Sequence, residues 1–233
     1  LSESDVTLEK SIISEEIKMY EDTPDEKIMD LFNTELFDRS YLGNPILGTH
    51  ESISGFNSKK LFDFRKLYFM ASKIKCVVAG KINSSVNLVD LLNKYLSDIE
   101  ISSDDVAVET SDVTFTSKAV HQQKELEQTH LCYGFPAFDY NHQFRYPLTI
   151  LSTLLGGSMS SRLFQSVREK MGLAYSIYSY ANFYKTTGAF FVYAGMATEN
   201  LEKTRECIQK EIHLFLDKGI DSDELSRAKR QLR

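Results

Sequence analysis

Large apolar side chains recur along the chain with two spacings, and each spacing predicts one kind of element. A spacing of three to four residues is typical of amphipathic helices, whereas short apolar runs or strict alternation are typical of strands. Both occur throughout the sequence, so we predict an α+β fold in which helices pack on mostly antiparallel sheets. Helices are predicted over residues 5–21, 26–37, 58–68, 86–96 and 144–155 and after Ser158, Thr198 and Ser222. Strands are predicted over residues 74–80, 113–118, 174–180 and 188–195. The last two strands are predicted to pair as an antiparallel hairpin.

Residues 100–112 interrupt this pattern and are predicted to be a linker. The segment is acidic and rich in serine and has few large apolar residues, so it cannot readily form part of a packed core. A chain of 233 residues is long enough for two ordinary domains. We therefore predict one domain over residues 1–99 and a second, similar domain over residues 113–233.

The composition excludes several classes of function. Lys and Arg number 27 against 33 Asp and Glu, so the net charge is −6, and no block of basic residues marks a nucleic-acid interface. No apolar run approaches the length of a membrane span, and the first residues do not resemble a signal peptide. The 3 cysteines are widely spaced, which argues against a disulfide framework or a cysteine zinc site. We expect a cytoplasmic protein that binds neither nucleic acid nor membranes.

One segment combines a sharp turn, a short helix and a strand. Gly156 and Gly157 allow backbone angles that other residues avoid, so the turn is predicted there. The helix that follows is predicted to end at Gly172 in a glycine C-cap, so that Arg168 and Tyr175 lie on either side of the corner before the next strand. On the residues alone, they are most simply a solvated arginine at a helix end and an ordinary strand tyrosine. The apolar face of this helix is predicted to consist of Leu163, Phe164, Val167 and Met171.

The first predicted helix carries two glutamates on one side. Glu9 and Glu16 are seven residues apart, so at about 100° per residue they point within roughly 20° of each other, two turns apart. Glu16 also lies beside apolar residues of the helix, which include Ile12 and Tyr20. An ionised carboxylate in an apolar stripe is costly to bury unless it is paired or binds a metal. Taken alone, such a glutamate is more often simply exposed to solvent.

Two segments, residues 9–25 and 154–179, carry a resemblance to a known family. The strings Gly-Gly-Ser-Met-Ser-Ser-Arg-Leu-Phe-Gln and Val-Arg-Glu-Lys-Met-Gly-Leu-Ala-Tyr-Ser, with the two glutamates separated by six residues, resemble the pitrilysin/insulinase family of zinc peptidases. The similarity is to the branch of mitochondrial processing peptidase and its bacterial relatives, and it covers nearly the whole chain. It implies a zinc metalloendopeptidase that cleaves peptides or unfolded polypeptides.

The resemblance also implies roles for single residues. Glu16 is expected to be a zinc ligand, with the neighbouring Glu15 as the less fitting alternative, and Glu9 is expected to support catalysis as a second carboxylate near the metal. Arg168 and Tyr175 are expected to contact the substrate from the second domain, which holds no zinc. Family members enclose the substrate between two similar chains or two halves of one chain, so we expect a homodimer, or a heterodimer with a related subunit.

The family's two histidine ligands and its catalytic base lie in a His-x-x-Glu-His motif that this sequence does not contain. None of its 5 histidines lies four residues from another. We therefore expect a fragment that lacks the N-terminal part of the peptidase and is inactive alone. Two alternatives stay open, namely a non-catalytic partner or scaffold subunit of the same family and a peptide-binding module without zinc.

Overall fold

The computed structural model describes residues 2–38, 40–83, 87–97, 99, 113, 115 and 117–233. The chain divides into two compact units. The first comprises Leu1–Glu16 and Gly48–Glu109, and the second comprises Ile17–Leu47 and Thr110–Arg233. The predicted linker at residues 100–112 lies outside the described residues, so the predicted domain boundaries stay a prediction.

The regular elements among the described residues of the first hundred are helices. The helices are α1 (Glu3–Glu21), α2 (Pro24–Leu36), α3 (His50–Ser54), α4 (Ser58–Tyr68) and α5 (Leu88–Leu96). Polar side chains cap several of them: the Asn57 side chain accepts a hydrogen bond from the Lys60 amide at 2.8 Å, and Asn87 caps α5 in the same way. No helix in the described part of the chain combines the length and the apolar content needed to cross a membrane.

Residues 74–80 do not form the predicted strand. The segment is described in full and has no regular secondary structure. A strand exists only where a neighbouring strand takes up its backbone hydrogen bonds, and no described segment does so here. Val77 at its centre is 88% exposed, so the apolar run is not buried either. The predicted strand at 113–118 lies partly outside the described residues, and its described residues carry no strand.

The second unit is built on an antiparallel sheet, and the α+β class is confirmed. β1 (Thr129–Ala137) and β2 (Ser176–Phe183) both pair with β3 (Gly188–Met196), so the strand order is β1-β3-β2. The predicted hairpin of the two later strands is therefore confirmed, with Ser179 opposite Val192. Every residue of β3 is buried, because a strand flanks it on each side and other elements cover both faces of the sheet.

Helices cover the two faces of this sheet. The longer helical elements that follow β1 in the chain are α6 (Arg145–Leu155), a π-helix (Phe164–Lys170), α7 (Leu201–Lys218) and α8 (Ser222–Gln231). One face carries the main hydrophobic core, which includes Leu155, Leu163, Val167, Val192, Ala194 and Ile208. The other face packs against α2, where the rings of Phe32 and Phe191 lie 5.6 Å apart.

The turn at Gly156 and Gly157 forms as predicted, but for a different physical reason. Gly156 has φ −151°, which any residue can adopt, so special backbone angles are not what the turn requires. A Cβ atom on Gly156 would instead lie 2.4 Å from the Ser179 backbone nitrogen, and one on Gly157 would lie 2.7 Å from the Thr153 Cα. Gly157 therefore allows the chain to turn back against the last turn of α6, and Gly156 allows the end of α6 to approach β2 closely. Ser152 and Ser179 fasten this contact, because each hydroxyl donates to the carbonyl of the other residue.

Candidate functional site

The corner between the π-helix and β2 is fixed by backbone hydrogen bonds. Gly172 ends the helix in a left-handed conformation with φ 59°, which confirms the predicted glycine C-cap. The Leu173 amide then donates to the Val167 carbonyl at 2.9 Å, and the Tyr175 amide donates to the Gly195 carbonyl at 2.9 Å. These bonds attach the helix end to the central strand, so the side chains on either side of the corner are held close together.

Arg168 and Tyr175 meet at this corner. The guanidinium carbon of Arg168 lies 5.5 Å from the centre of the Tyr175 ring, within the range of a cation–π contact. The same carbon lies 4.8 Å from the centre of the Phe164 ring. Tyr175 is 71% exposed and Arg168 is exposed as well, so both side chains are accessible to a ligand. The structure thus brings together the two residues that the sequence singles out here.

No described acidic side chain lies within ion-pair distance of Arg168, which is exposed. It lies against the Phe164 and Tyr175 rings, and the exposed side chain can offer its N–H groups to other partners. An arginine presents five N–H donors in a fixed fork that matches carbonyl and carboxylate oxygens. The corner can therefore bind an extended peptide or an acidic group through hydrogen bonds.

A second arginine, Arg162, anchors the start of this helical segment to α8. Its guanidinium donates two hydrogen bonds to the Glu224 carboxylate, at 2.9 and 2.6 Å, and a third to the Gly219 carbonyl at 2.8 Å. The guanidinium also lies 4.7 Å from the centre of the Phe215 ring. The hydrogen bonds from Arg162 hold the pKa of Glu224 below its ordinary value. The sequence does not predict this anchor, because its two ends are far apart in the chain.

Phe164 was also missed as a neighbour of Arg168. The sequence predicts Phe164 and Met171 on the inward face of a regular α-helix, but Phe164 is only half-buried and Met171 is exposed. The reason is the π-helix, whose i→i+5 hydrogen bonds widen the turn and shift the later residues around the axis. The spacing of four residues between Phe164 and Arg168 was the signal that could have indicated their contact.

The two glutamates of α1 lie in the first unit, on the side of the helix that the sequence predicts. Glu9 and Glu16 are both exposed, and at 1.5 Å per residue their backbones are about 10 Å apart along the axis. Because Zn–O bonds are about 2 Å long, this separation favours Glu9 as a neighbour of a metal site rather than as a second ligand beside Glu16. The apolar stripe around them is less buried than predicted, since Leu8 and Ile12 are exposed.

Among the described residues, Glu16 is the side chain that the family resemblance implies as a zinc ligand. An exposed glutamate oxygen is an ordinary zinc ligand, so Glu16 fits one position of a site. The described residues contain no group of three or more His, Cys, Asp or Glu side chains that could hold a metal ion. Any zinc site that includes Glu16 therefore needs ligands from outside the described part of the chain. The roles of Glu9, Glu16, Arg168 and Tyr175 stay predictions.

Comparisons with known proteins identify relatives along the whole chain. Residues 55–232 match the family described as "Peptidase M16 inactive domain". The chain is 37% identical over 231 residues to a Bacillus subtilis protein named "Uncharacterized zinc protease YmxG", an alignment that covers 99% of this chain and 56% of the relative. The chain spans about half the length of the curated relatives it matches.

Solved structures share the fold of this chain. The peptidase M16 inactive domain from Pseudomonas fluorescens superposes with a TM-score of 0.83 at 19% identity, over 98% of this chain and 55% of that one. A protease from Helicobacter pylori superposes with a TM-score of 0.84 at 21% identity, over 100% of this chain and 57% of that one. The predicted resemblance to the pitrilysin/insulinase peptidases is thus confirmed, and the chain belongs to the peptidase M16 family.

Proposed function

We propose that this chain forms part of a zinc-dependent metalloendopeptidase that hydrolyses peptides or unfolded polypeptides. The observation that carries the proposal is the exposed Arg168 guanidinium, which lies against the Phe164 and Tyr175 rings and has no described acidic partner. Peptide carbonyls and carboxylates are the groups that match such an arginine. A relative of 37% identity that carries the name zinc protease supports the same function.

In the proposed mechanism, Arg168 and Tyr175 hold the substrate. The guanidinium donates hydrogen bonds to a carbonyl oxygen of the bound peptide, and the Tyr175 hydroxyl donates to another. These contacts orient the polypeptide and transfer no proton. Because hydrogen bonds from a charged donor contribute about 1.5–3 kcal/mol, Arg168→Ala is expected to weaken substrate binding about tenfold or more.

Glu16 is proposed to supply one carboxylate oxygen to the zinc ion. Zinc, when bound, polarises the scissile carbonyl and activates a water molecule. Glu9, two turns away on the same side of α1, is proposed to orient the groups around the metal by hydrogen bonding. The two histidine ligands and the general base are proposed to come from residues of the parent protein outside residues 1–233.

We further propose that the parent protein is a cytoplasmic homodimer, or a heterodimer with a related subunit, that encloses its substrate between two domain pairs. One chain carries both Glu16 and the Arg168/Tyr175 pair, so two copies together supply a zinc side and a substrate-holding side. The 3 cysteines are all free, which supports a reducing compartment. Neither nucleic acid nor a membrane is part of the proposal.

The test uses the full-length protein that contains residues 1–233, with β-casein as an unfolded substrate. Purified wild-type protein is expected to hold zinc, measured by plasma mass spectrometry, and to cleave β-casein until a chelator removes the metal. Glu16→Gln is expected to lose both zinc and cleavage. Glu15→Gln changes the adjacent residue by the same chemistry and is expected to keep both. Loss of zinc in Glu15→Gln alone would assign the ligand to Glu15 instead.

A second candidate is a non-catalytic partner or scaffold subunit. The description of the matching family as an inactive domain favours it. This candidate predicts that the full-length protein holds no zinc and cleaves no β-casein by itself. Activity that appears only when the protein is mixed with a related subunit would support it over the first candidate. A peptide-binding module would instead bind β-casein with an affinity that a chelator does not change, and it would cleave β-casein neither with nor without the chelator.

A further inference from the structure

We propose that Phe164 is a positioning residue, which holds the Arg168 guanidinium in the orientation that receives the substrate. This inference rests on the proposed function of Arg168 as a substrate contact. It adds a residue that neither the family resemblance nor the sequence pattern assigns to the site.

The contact between the two side chains is close. The guanidinium carbon of Arg168 lies 4.8 Å from the centre of the Phe164 ring, against 5.5 Å for the Tyr175 ring. Both distances fall within the range in which a cation is attracted to the face of an aromatic ring. Phe164 is thus the nearer of the two aromatic platforms.

Phe164 is also the better fixed of the two rings. Its neighbour Leu163 and the next inward residue, Val167, are both completely buried in the core of the second unit, which fixes the backbone beneath it. Phe164 itself is half-buried, whereas the Tyr175 ring projects into solvent. A ring on a rigid backbone can restrict the arginine before a substrate arrives.

Core packing does not account for Phe164. The hydrophobic core includes Leu163 and Val167, but Phe164 is neither a buried member of it nor one of the partly buried residues packed against it. The ring is instead held at the rim, against a charged side chain. We therefore assign the role of the Phe164 ring to its contact with Arg168.

The π-helix supports the same conclusion. Its residues Phe164–Lys170 begin with the phenylalanine and include the arginine. A π-helical turn is less stable than an α-helical one and occurs often at functional sites. The wider turn brings residues four apart closer to the same line along the helix, which aligns the ring with the guanidinium.

Restricting Arg168 in advance lowers the conformational entropy that binding must remove. A long arginine side chain in solvent samples many rotamers, and ordering it on binding weakens the observed affinity. Removing the ring is therefore expected to weaken substrate binding about two- to fivefold, the range that corresponds to an exposed cation–π contact. The fold should be little affected.

With the chelator present to stop cleavage, the test measures the affinity of the full-length protein for fluorescein-labelled β-casein by fluorescence anisotropy, together with the melting temperature. The variants are Phe164→Leu, Phe164→Tyr, Arg168→Ala and the double variant Phe164→Leu/Arg168→Ala. Phe164→Leu is expected to raise Kd about two- to fivefold, and Phe164→Tyr, which keeps a ring, is expected to retain wild-type Kd. In the Arg168→Ala background, Phe164→Leu is expected to change Kd no further, because the side chain it positions is gone.

Phe138→Leu is the matched control. Phe138 is another partly exposed ring of the second unit, and it stacks on His142 with 4.2 Å between ring centres. Its removal is expected to leave Kd for β-casein unchanged. If Phe164→Leu proves unstable, Phe164→Met, which keeps most of the volume without the ring, takes its place in the same comparison.

The possible results separate the inference from the proposed function. If Arg168→Ala itself leaves Kd unchanged, the proposed substrate contact is wrong, and the role of Phe164 is wrong with it. If Arg168→Ala weakens binding but Phe164→Leu does not, or if Phe164→Leu weakens binding equally in both backgrounds, only the positioning role of Phe164 is overturned.

Discussion

At the residue scale, burial separates the reactivity of the three cysteines. Cys76 is exposed, whereas burial raises the pKa of the Cys132 thiol to about 12 and also raises the pKa of Cys207. Because the thiolate is the reactive form, iodoacetamide is expected to modify Cys76 first in the native chain, as followed by peptide mass spectrometry. In guanidinium chloride, all three should react at similar rates. Modification of Cys132 as fast as Cys76 in the native chain would contradict this burial pattern.

The residues of the candidate site show how far the sequence could predict contacts. Arg168 and Tyr175 were singled out by the family resemblance, and the helix-to-strand corner that the sequence predicts between them brings their side chains together. Phe164 was placed inward because a regular α-helix was assumed. Arg162 was not linked to Glu224, because a contact between residues so far apart in the chain leaves no local pattern. Local geometry was predictable, and tertiary partners were not.

At the element scale, segments that satisfy their hydrogen bonds internally were the easiest to predict. Apart from the short α3, which was not predicted, the α-helices begin and end close to their predicted bounds, since a helix closes its own hydrogen bonds and its caps lie within the sequence. The strand predicted at residues 74–80 was wrong, although its apolar run is typical of a strand, because a strand also needs a neighbour. The π-helix was missed because its apolar spacing resembles that of an α-helix.

The ion pair between the start of the π-helical segment and α8 predicts a pH-dependent contribution to stability. The side chains of Arg162 and Glu224 are 20% and 18% exposed, so their ion pair is intermediate between a surface pair and a fully buried one. Arg162→Met is therefore expected to lower the free energy of unfolding by about 2 kcal/mol at neutral pH. Arg162 lowers the pKa of Glu224 in the folded state. The stabilisation is therefore present above about pH 4.3, the ordinary pKa of a glutamate in an unfolded chain, and is lost as the pH falls through the lower pKa of the folded state.

Denaturant unfolding of wild type and variant at several pH values measures this effect. The difference between the two proteins should shrink as the pH is lowered, because protonated Glu224 no longer forms the ion pair. Arg205→Met is a suitable control, since Arg205 pairs with Glu202 at 2.8 Å on the surface of α7 and is 49% exposed. Its effect should stay below about 1 kcal/mol at every pH. A loss for Arg162→Met that does not depend on pH would assign its role to packing on Phe215.

At the scale of the whole molecule, the two units differ in how much apolar surface they bury. Among the described residues of the first unit, Val6 and Met70 are the buried apolar side chains, and large side chains of α4 such as Phe62 and Phe64 are about half exposed. The second unit buries a continuous core on one face of its sheet. Because stability follows the apolar area removed from water, the second unit should be the more stable part of the chain.

Hydrogen exchange of the 233-residue chain, followed by mass spectrometry, tests this difference directly. Amides of β3 and α7 are expected to exchange about tenfold more slowly or more than those of α4 and α5, which corresponds to a local free-energy difference of about 1.4 kcal/mol or more. α8 is the matched control, because it is 10 residues long against 9 for α5 and is largely exposed, but belongs to the second unit. It should be better protected than α5, since Arg162 attaches it to the π-helical segment. Equal protection of α5 and α8 would mean that exposure, and not the core of the unit, determines local stability.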